Sequence, residues 1–318
     1  MPKCSVIIPN FNHSQYLEQR INSILTQTFD DYEIIILDDA SSDNSRTIIE
    51  KYRNQPRITE IIYNSENTKN PFLQWKKGIE KAKGKWIWIA ESDDYANTDF
   101  LKTAFEAVNK FPDIGFFYSD SLYDTNSGHG YRYRNSAAFK NDFFKTQKWS
   151  EDYYISGKEE FNFCLKFICT IINTSSTVIR KEQLLKVTDN ITNFRYYGDW
   201  YAFANIAFYS SIYYSSKPLN ICRMHHHNFL AGTNSIEGKK EYFQILNCFV
   251  NFKFVTNKNT LIAFFTREFI GFGLFHDGIK HGYNIFRSYF SINKLLTIKV
   301  LIFLIWQKLT FKKRRIIY

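Results

Sequence analysis

Residues 4–39 read CSVIIPNFNHSQYLEQRINSILTQTFDDYEIIILDD, and they set the architecture. The apolar run from Cys4 to Ile8 is a strand signal. Tyr16, Leu17, Ile21, Ile24 and Leu25 then recur at helical spacing, and "YEIIILDD" is a second strand that ends in paired acids. The alternation continues with a helix in "DNSRTIIEKYRN", a strand in "ITEIIYN", a helix in "PFLQWKKGIEKAK" and a strand in "KWIWIAESDD". Strands and helices in strict alternation imply an α/β fold: a mostly parallel central sheet with helices on both faces. Ligands of such sheets bind beyond the carboxyl ends of the strands. This chain places Asp38 and Asp39 after its second strand, and Glu91, Asp93 and Asp94 after its fourth.

The composition excludes several classes. At 318 residues, 44% hydrophobic and 18% aromatic, the chain has ample material for a core and does not resemble a disordered or fibrous protein. Its five cysteines, Cys4, Cys164, Cys169, Cys222 and Cys248, form no CxxC pair, which fits reduced thiols and argues against a zinc site. The net charge of +10 is not spread along the chain: residues 278–318 hold Lys280, Arg287, Lys294, Lys299, Lys308, Lys312, Lys313, Arg314 and Arg315 and no acid. The rest is close to neutral, so no nucleic-acid partner is expected. No secretory signal and no apolar run of membrane-spanning length is apparent, which leads to an expected cytoplasmic location.

Further along, "DIGFFYSDSLYD" reads as another strand, and residues 124–160 as polar, aromatic-rich loops over the site. "CTIINTSSTVIRKEQL" is strand then helix, "YYGDWYAFANIAFYS" a helix with Asp199 at its start, and "SIYYSSKPLNICRMHHHN" strand then loop. Beyond Asn228 the pattern is helical. The expected domains are 1–230, divided at 120 into two halves, for which the resemblance drawn below implies nucleotide-sugar and acceptor roles, and a helical extension over 231–318 with a basic amphipathic tail.

Clustered carboxylates at a strand end repel one another and call for a cation, a proton or good solvation. Taken singly, "DDASSDNS" also suits an Asx-turn before a capped helix, and Asp199 an N-cap. The order of motifs goes further. "SVIIPNFNHSQYLEQRINSILTQTFDDYEIIILDDASSDNS", "KGKWIWIAESDD", "NTSSTVIRKEQL", "YYGDW" and "CRMHHHN" together resemble the family-2 inverting glycosyltransferases of the GT-A fold that build bacterial polysaccharides, over roughly the first 230 residues. The resemblance implies a UDP-sugar donor bound by Pro9, Asn10, Asn12, Asp38, Asp39, Ser92, Asp93 and Arg223, with Asp38 or Asp39 accepting the N3 proton of uracil. It implies Mn²⁺ or Mg²⁺ held by Asp93, Asp94 and His225, with Glu91 a further contributor where the family more often has Asp. It implies Asp199 as the base for a saccharide or lipid-linked acceptor. The chain departs from the family in Ala40, where Gly is usual, and in Gly198, where Glu is frequent.

Trp75 is placed either in the helix core or along the nucleotide pocket. Arg223 and His225 are expected on a loop that closes over the diphosphate, the alternative being an exposed polar loop. A nucleotidyltransferase is the nearest competing enzyme class, but "PNFNHSQ" lacks the glycine and the cation that a triphosphate loop needs. A non-catalytic membrane-associated protein would explain the tail and not the acids. Read as a helix, residues 298–311 extend about 21 Å, short of the roughly 30 Å hydrocarbon core. They suit a helix lying on the inner face of the cell membrane.

Overall fold

The computed structural model describes residues 1–124, 132–223, 235–253, 255, 257–270 and 279–310. The chain divides into two compact units, Met1–Cys164 with Cys169–Asn228, and Leu165–Ile168 with Phe229–Tyr318.

In the first unit the elements run β1 (Cys4–Asn10), α1 (Ser14–Leu25), β2 (Tyr32–Asp38), α2 (Ser45–Lys51), β3 (Ile58–Tyr63), α3 (Pro71–Lys81), β4 (Trp86–Ile89), β5 (Tyr95–Ala96) and α4 (Phe100–Lys110). They continue with β6 (Ile114–Asp124), α5 (Ser136–Phe144), β7 (Tyr153–Ser156), α6 (Gly157–Glu160), β8 (Thr177–Arg180), α7 (Lys181–Ile191), α8 (Gly198–Tyr209) and β9 (Ser211–Arg223). One nine-stranded sheet has the order β3-β2-β1-β4-β8-β6-β9-β5, with β7 also on β9. Pairings β1–β2, β1–β4, β2–β3 and β6–β9 are parallel, and β8 runs antiparallel between β4 and β6. Strands β1, β2, β3, β4, β6 and β9 therefore all point one way, a mostly parallel sheet.

Side-chain alternation in the central strands divides the helices between two faces. Val6, Ile8, Ile34, Ile36 and Trp88 pack with Leu17, Ile21 and Ile24 of α1, Ile48 and Ile49 of α2, and Phe100, Leu101 and Ala104 of α4. The opposite face carries α3, so close that a Cβ at Gly78 would lie 2.5 Å from Ile7 and 3.1 Å from Leu37. At that approach only glycine fits without moving the helix.

Of the expected loops over 124–160, residues 125–131 lie outside the described residues, and 132–160 correct the expectation, since they hold α5, β7 and α6. The reason is a buried cation. Lys140, on α5, is 1% exposed and lies 4.8–5.3 Å from the rings of Tyr214, Tyr118 and Trp149. That aromatic box gives a stretch with weak periodicity a packed core of its own. The two-residue β5 is also absent from the sequence reading. It exists because β9 runs on past Leu219 and pairs Tyr95 with Ile221.

The second unit is helical: α9 (Ile236–Asn251), α10 (Lys258–Phe265), α11 (Ile279–Ile292) and α12 (Lys294–Thr310). Phe243, Leu246, Phe249, Leu261, Phe265, Ile285, Tyr289, Leu296 and Val300 form its buried interior. Phe243 stacks on Tyr289 at 4.3 Å, and Asn293 Nδ2 donates to Asn247 Oδ1 at 2.7 Å. Among the described residues no helix is long and apolar enough to cross a membrane.

Candidate functional site

The parallel register aligns the carboxyl ends of β1, β2 and β4, and two acidic turns follow from it. Asn10 stands opposite Asp38 in the β1–β2 ladder, so its side-chain amide donates to Asp38 Oδ2 at 2.8 Å and to Ser41 Oγ at 3.2 Å. Asn12 adopts the left-handed region (φ 55), and its Oδ1 accepts from the Ser42 N–H at 2.8 Å. These bonds stitch the loop after β1 to the loop after β2. Ala40 also has positive φ, at 59, which is the conformation that makes glycine usual at that place.

Asp39 is 5% exposed and fully engaged. Its Oδ1 accepts from Asn64 Nδ2 at 2.6 Å and Gln74 Nε2 at 2.8 Å, its Oδ2 from Thr68 Oγ1 at 2.8 Å, and both from the Thr68 N–H at 3.1 Å. Asn64, Thr68 and Gln74 line a cavity of about 380 Å³ with Tyr63, Leu73 and Lys77. A larger hollow of about 900 Å³ lies beside α5, bordered by Asp120, Trp149 and Ser216, and none of the predicted site residues lines it.

The second turn is built differently. Ser92 is buried, with its Oγ 2.8 Å from His13 Nδ1. Asp94 is 2% exposed, and accepts from Asn173 Nδ2 at 2.9 Å and the Arg223 N–H at 3.1 Å. Glu91 accepts from Trp75 Nε1 at 3.0 Å. Burial, and after it the Asp93 carboxylate, pushes the Asp94 carboxyl up to about 6 and the Glu91 carboxyl up to about 8. Asp93 itself is half-buried, the least enclosed of the predicted metal-binding aspartates.

Arg223 corrects one expectation: it closes β9 and is not a loop residue. Its guanidinium lies between Tyr16 and Tyr95, 4.8 and 4.7 Å from the ring centres, donates to Asp93 O at 2.6 Å and bonds Gln19. It therefore latches β9 to the acidic turn. Pro9 is likewise a buried strand residue, paired with Leu37. His225 lies outside the described residues. Among those described, no three His, Cys, Asp or Glu side chains form a metal-holding group.

Asp199 lies in the first turn of α8, one residue inside the helix that starts at Gly198. A Cβ at Gly198 would meet the Phe72 ring at 2.7 Å. This explains glycine where the resembling family often has Glu, and it packs the start of α8 on α3, the helix whose Trp75 reaches Glu91. Sequence reading missed His13, Arg20, Asn173 and the Asn64–Thr68–Gln74 clamp. Arg20 and Gln74 were detectable as polar residues on the buried stripe of their helices.

The sequence model described as "Glycosyl transferase family 2" matches residues 5–183. A curated relative, the glycosyltransferase GlyG of Streptococcus pneumoniae serotype 4, is 34% identical over 132 residues, 41% of this chain and 42% of that protein. The chain thus spans less than half the length of the curated relatives it first matches. Among solved structures, S. aureus TarS 1-349 in complex with UDP-GlcNAc superposes with TM-score 0.72 at 14% identity, covering 99% of this chain and 94% of that one. The mannosyltransferase PcManGT of Pyrobaculum calidifontis, in complex with GDP-Man and Mn²⁺, has TM-score 0.59 at 12% identity, covering 97% and 88%. These likenesses show the fold, that of GT-A enzymes.

Proposed function

From the premise that this chain belongs to glycosyl transferase family 2, we propose that it transfers a sugar from a UDP-sugar to a saccharide or lipid-linked hydroxyl, with inversion, in the assembly of a bacterial surface polysaccharide. The observation that carries this reading is the alignment of two acidic turns at the carboxyl ends of β2 and β4, beside the cavity lined by the Asn64, Thr68 and Gln74 that bond Asp39. The cavity takes the base. Because Asp39 already spends both oxygens on Asn64, Thr68 and Gln74, it holds these wall residues in place from behind. Gln74 Oε1, buried without a partner, is the acceptor next to it for an imide N–H.

A Mn²⁺ or Mg²⁺ ion fits the second turn, because hard cations of this kind take one or two carboxylates and complete their shell with substrate phosphates. When bound, it neutralises charge on the diphosphate. We assign Asp93, half-buried in the turn, to hold it, with His225 as the further candidate. Asp94 is committed to Asn173 and Arg223 and acts as a strut, and Glu91 is the weaker contributor. Asp199 takes the proton from the acceptor hydroxyl as that oxygen bonds to the anomeric carbon and the bond to the diphosphate breaks on the opposite face.

The test is UDP release from a panel of UDP-sugars with Mn²⁺ and with excess EDTA. Asp199→Asn is expected to bind donor nearly as the parent does, with transfer lowered on the order of a hundredfold. Equal loss of binding and turnover would make Asp199 structural.

The helical unit supports a second part of this reading, docking on an anionic membrane surface. Leu295, Ile298, Ile302, Ile305 and Trp306 are exposed along one face of α12, and Lys308 and Lys312 to Arg315 follow in sequence. Leu296 and Val300 are buried in the unit, so deleting residues 296–318 would remove core. The better probe is combined Ile298→Gln, Ile302→Gln and Trp306→Gln. The variant should no longer float with phosphatidylglycerol vesicles while still releasing UDP, and continued flotation would rule out this face as the anchor.

A further inference from the structure

Arg20 occupies a core position. With Leu17, Ile21 and Ile24 it forms the buried face of α1, at 0% exposure. Its Nε donates to Glu91 O at 2.9 Å, its guanidinium lies 5.2 Å from the Trp88 ring centre, and both Nη1 and Nη2 are buried with no hydrogen-bond partner. A buried guanidinium is costly to desolvate and ordinarily spends its donors on carboxylates. The carboxylates nearest in effect, those of Asp94, Asp93 and Glu91, attract it without bonding to it. Packing gives no reason for the charge, since an unbranched apolar residue of similar length would fill the same stripe.

We propose that Arg20 is a positioning residue of the metal site: a permanent cation beneath the acidic turn that fixes the turn through Glu91 O and limits its affinity for a divalent ion. The inference rests on the metal reading of Asp93. In a weakly solvated site a fixed positive charge opposes any further cation over several ångströms. A turn without that opposition would retain the ion, and the nucleoside diphosphate bound to it, after transfer, slowing product release.

The direction of the effect separates this role from simple packing. Mn²⁺ binding to the full chain in the presence of UDP is followed from the electron paramagnetic resonance signal of free Mn²⁺. Arg20→Gln keeps a donor for Glu91 O and removes the charge; its Mn²⁺ dissociation constant should fall on the order of tenfold. Arg20→Met, which keeps the contact with Trp88, should move the same way, and either neutral variant suffices if the other fails to fold. Arg20→Lys should remain close to the parent. Weaker or unchanged Mn²⁺ binding in a folded neutral variant overturns the proposal, as does an equal shift in Arg20→Lys. Asp93→Ala serves as the control. If it abolishes Mn²⁺ binding while Arg20→Gln changes nothing, the Arg20 inference alone fails. Mn²⁺ binding that survives Asp93→Ala removes the metal reading and this inference with it.

Discussion

The two acidic turns use the same residue type in opposite ways. After β2, every carboxylate oxygen of Asp38 and Asp39 accepts a hydrogen bond from the protein. After β4, Asp94 also accepts on both oxygens, from Asn173 and the Arg223 N–H, yet burial and mutual repulsion push it and Glu91 upward, and a neighbouring guanidinium leaves two of its nitrogens unpaired. The first turn is complete as folded and works by its shape. The second is left with raised carboxyls, a half-buried Asp93 and a buried guanidinium whose Nη1 and Nη2 have no partner. A carboxylate already supplied with donors contributes to stability, and one crowded by like charge is held in readiness at a cost to it.

The largest expected effect breaks the first half of this contrast. Asp39→Asn replaces one of the two accepting oxygens with an N–H₂, set either against Asn64 and Gln74 or against Thr68, all of which donate to this carboxylate. Urea unfolding should show a loss of roughly 2–4 kcal/mol. A loss below about 1 kcal/mol would mean that the clamp carries little of the fold.

Glu91→Gln sharpens the second half. The folded carboxyl titrates near 8 against an ordinary value of 4.5. Between those values the folded state keeps a proton that the unfolded state has released, so this group's contribution to stability falls as pH rises through that window. Burial is the chief cause, with Asp93 and Asp94 adding to it, while the Trp75 bond and Arg20 act the other way. The glutamine variant escapes the titration. It should match the parent near pH 5 and exceed it by roughly 1–3 kcal/mol at pH 8, allowing for solvent screening of a partly exposed group. Stability curves that run parallel from pH 5 to pH 8 would show that Glu91 is not held protonated.

The same contrast separates what the sequence discloses from what it hides. Strands β1, β2 and β4 and helices α1 and α3 are legible because burial on both faces of a parallel sheet leaves continuous apolar runs separated by amphipathic helices. The acids are legible because they stop those runs. Their partners are not. Asn173 reaches Asp94 across 79 positions and Arg223 reaches it across 129, and no local pattern records such a meeting. Arg223 looked like a loop cation because Pro218 and the polar residues around it obscure a strand that continues to its end. The fold of residues 136–160 was hidden for another reason: it rests on Lys140 as a core residue, which inverts the usual meaning of a lysine in a pattern.

The smallest expected effect tests how finished the first turn is. Ala40 has φ 59, a conformation that costs a residue with a Cβ about 1 kcal/mol or more relative to glycine. Glycine would relieve that strain but loses more conformational freedom on folding, a cost of roughly 0.4–1 kcal/mol. The two terms nearly offset, leaving Ala40→Gly between neutral and about 1 kcal/mol more stable. The hydrogen bonds around it decide between those limits. Ser41 N–H donates to Asp38 Oδ1 at 2.9 Å, and Asp39 N–H to Asn10 O at 2.9 Å, so the turn is pinned on both sides of residue 40. A pinned turn holds its geometry whichever residue occupies the left-handed position, and donor affinity should therefore stay unchanged. Urea unfolding and UDP titration of the same variant check both parts together. A stability gain accompanied by weaker UDP binding would show that Ala40 holds the turn in a strained shape the nucleotide needs, and the first turn would then also be a poised site.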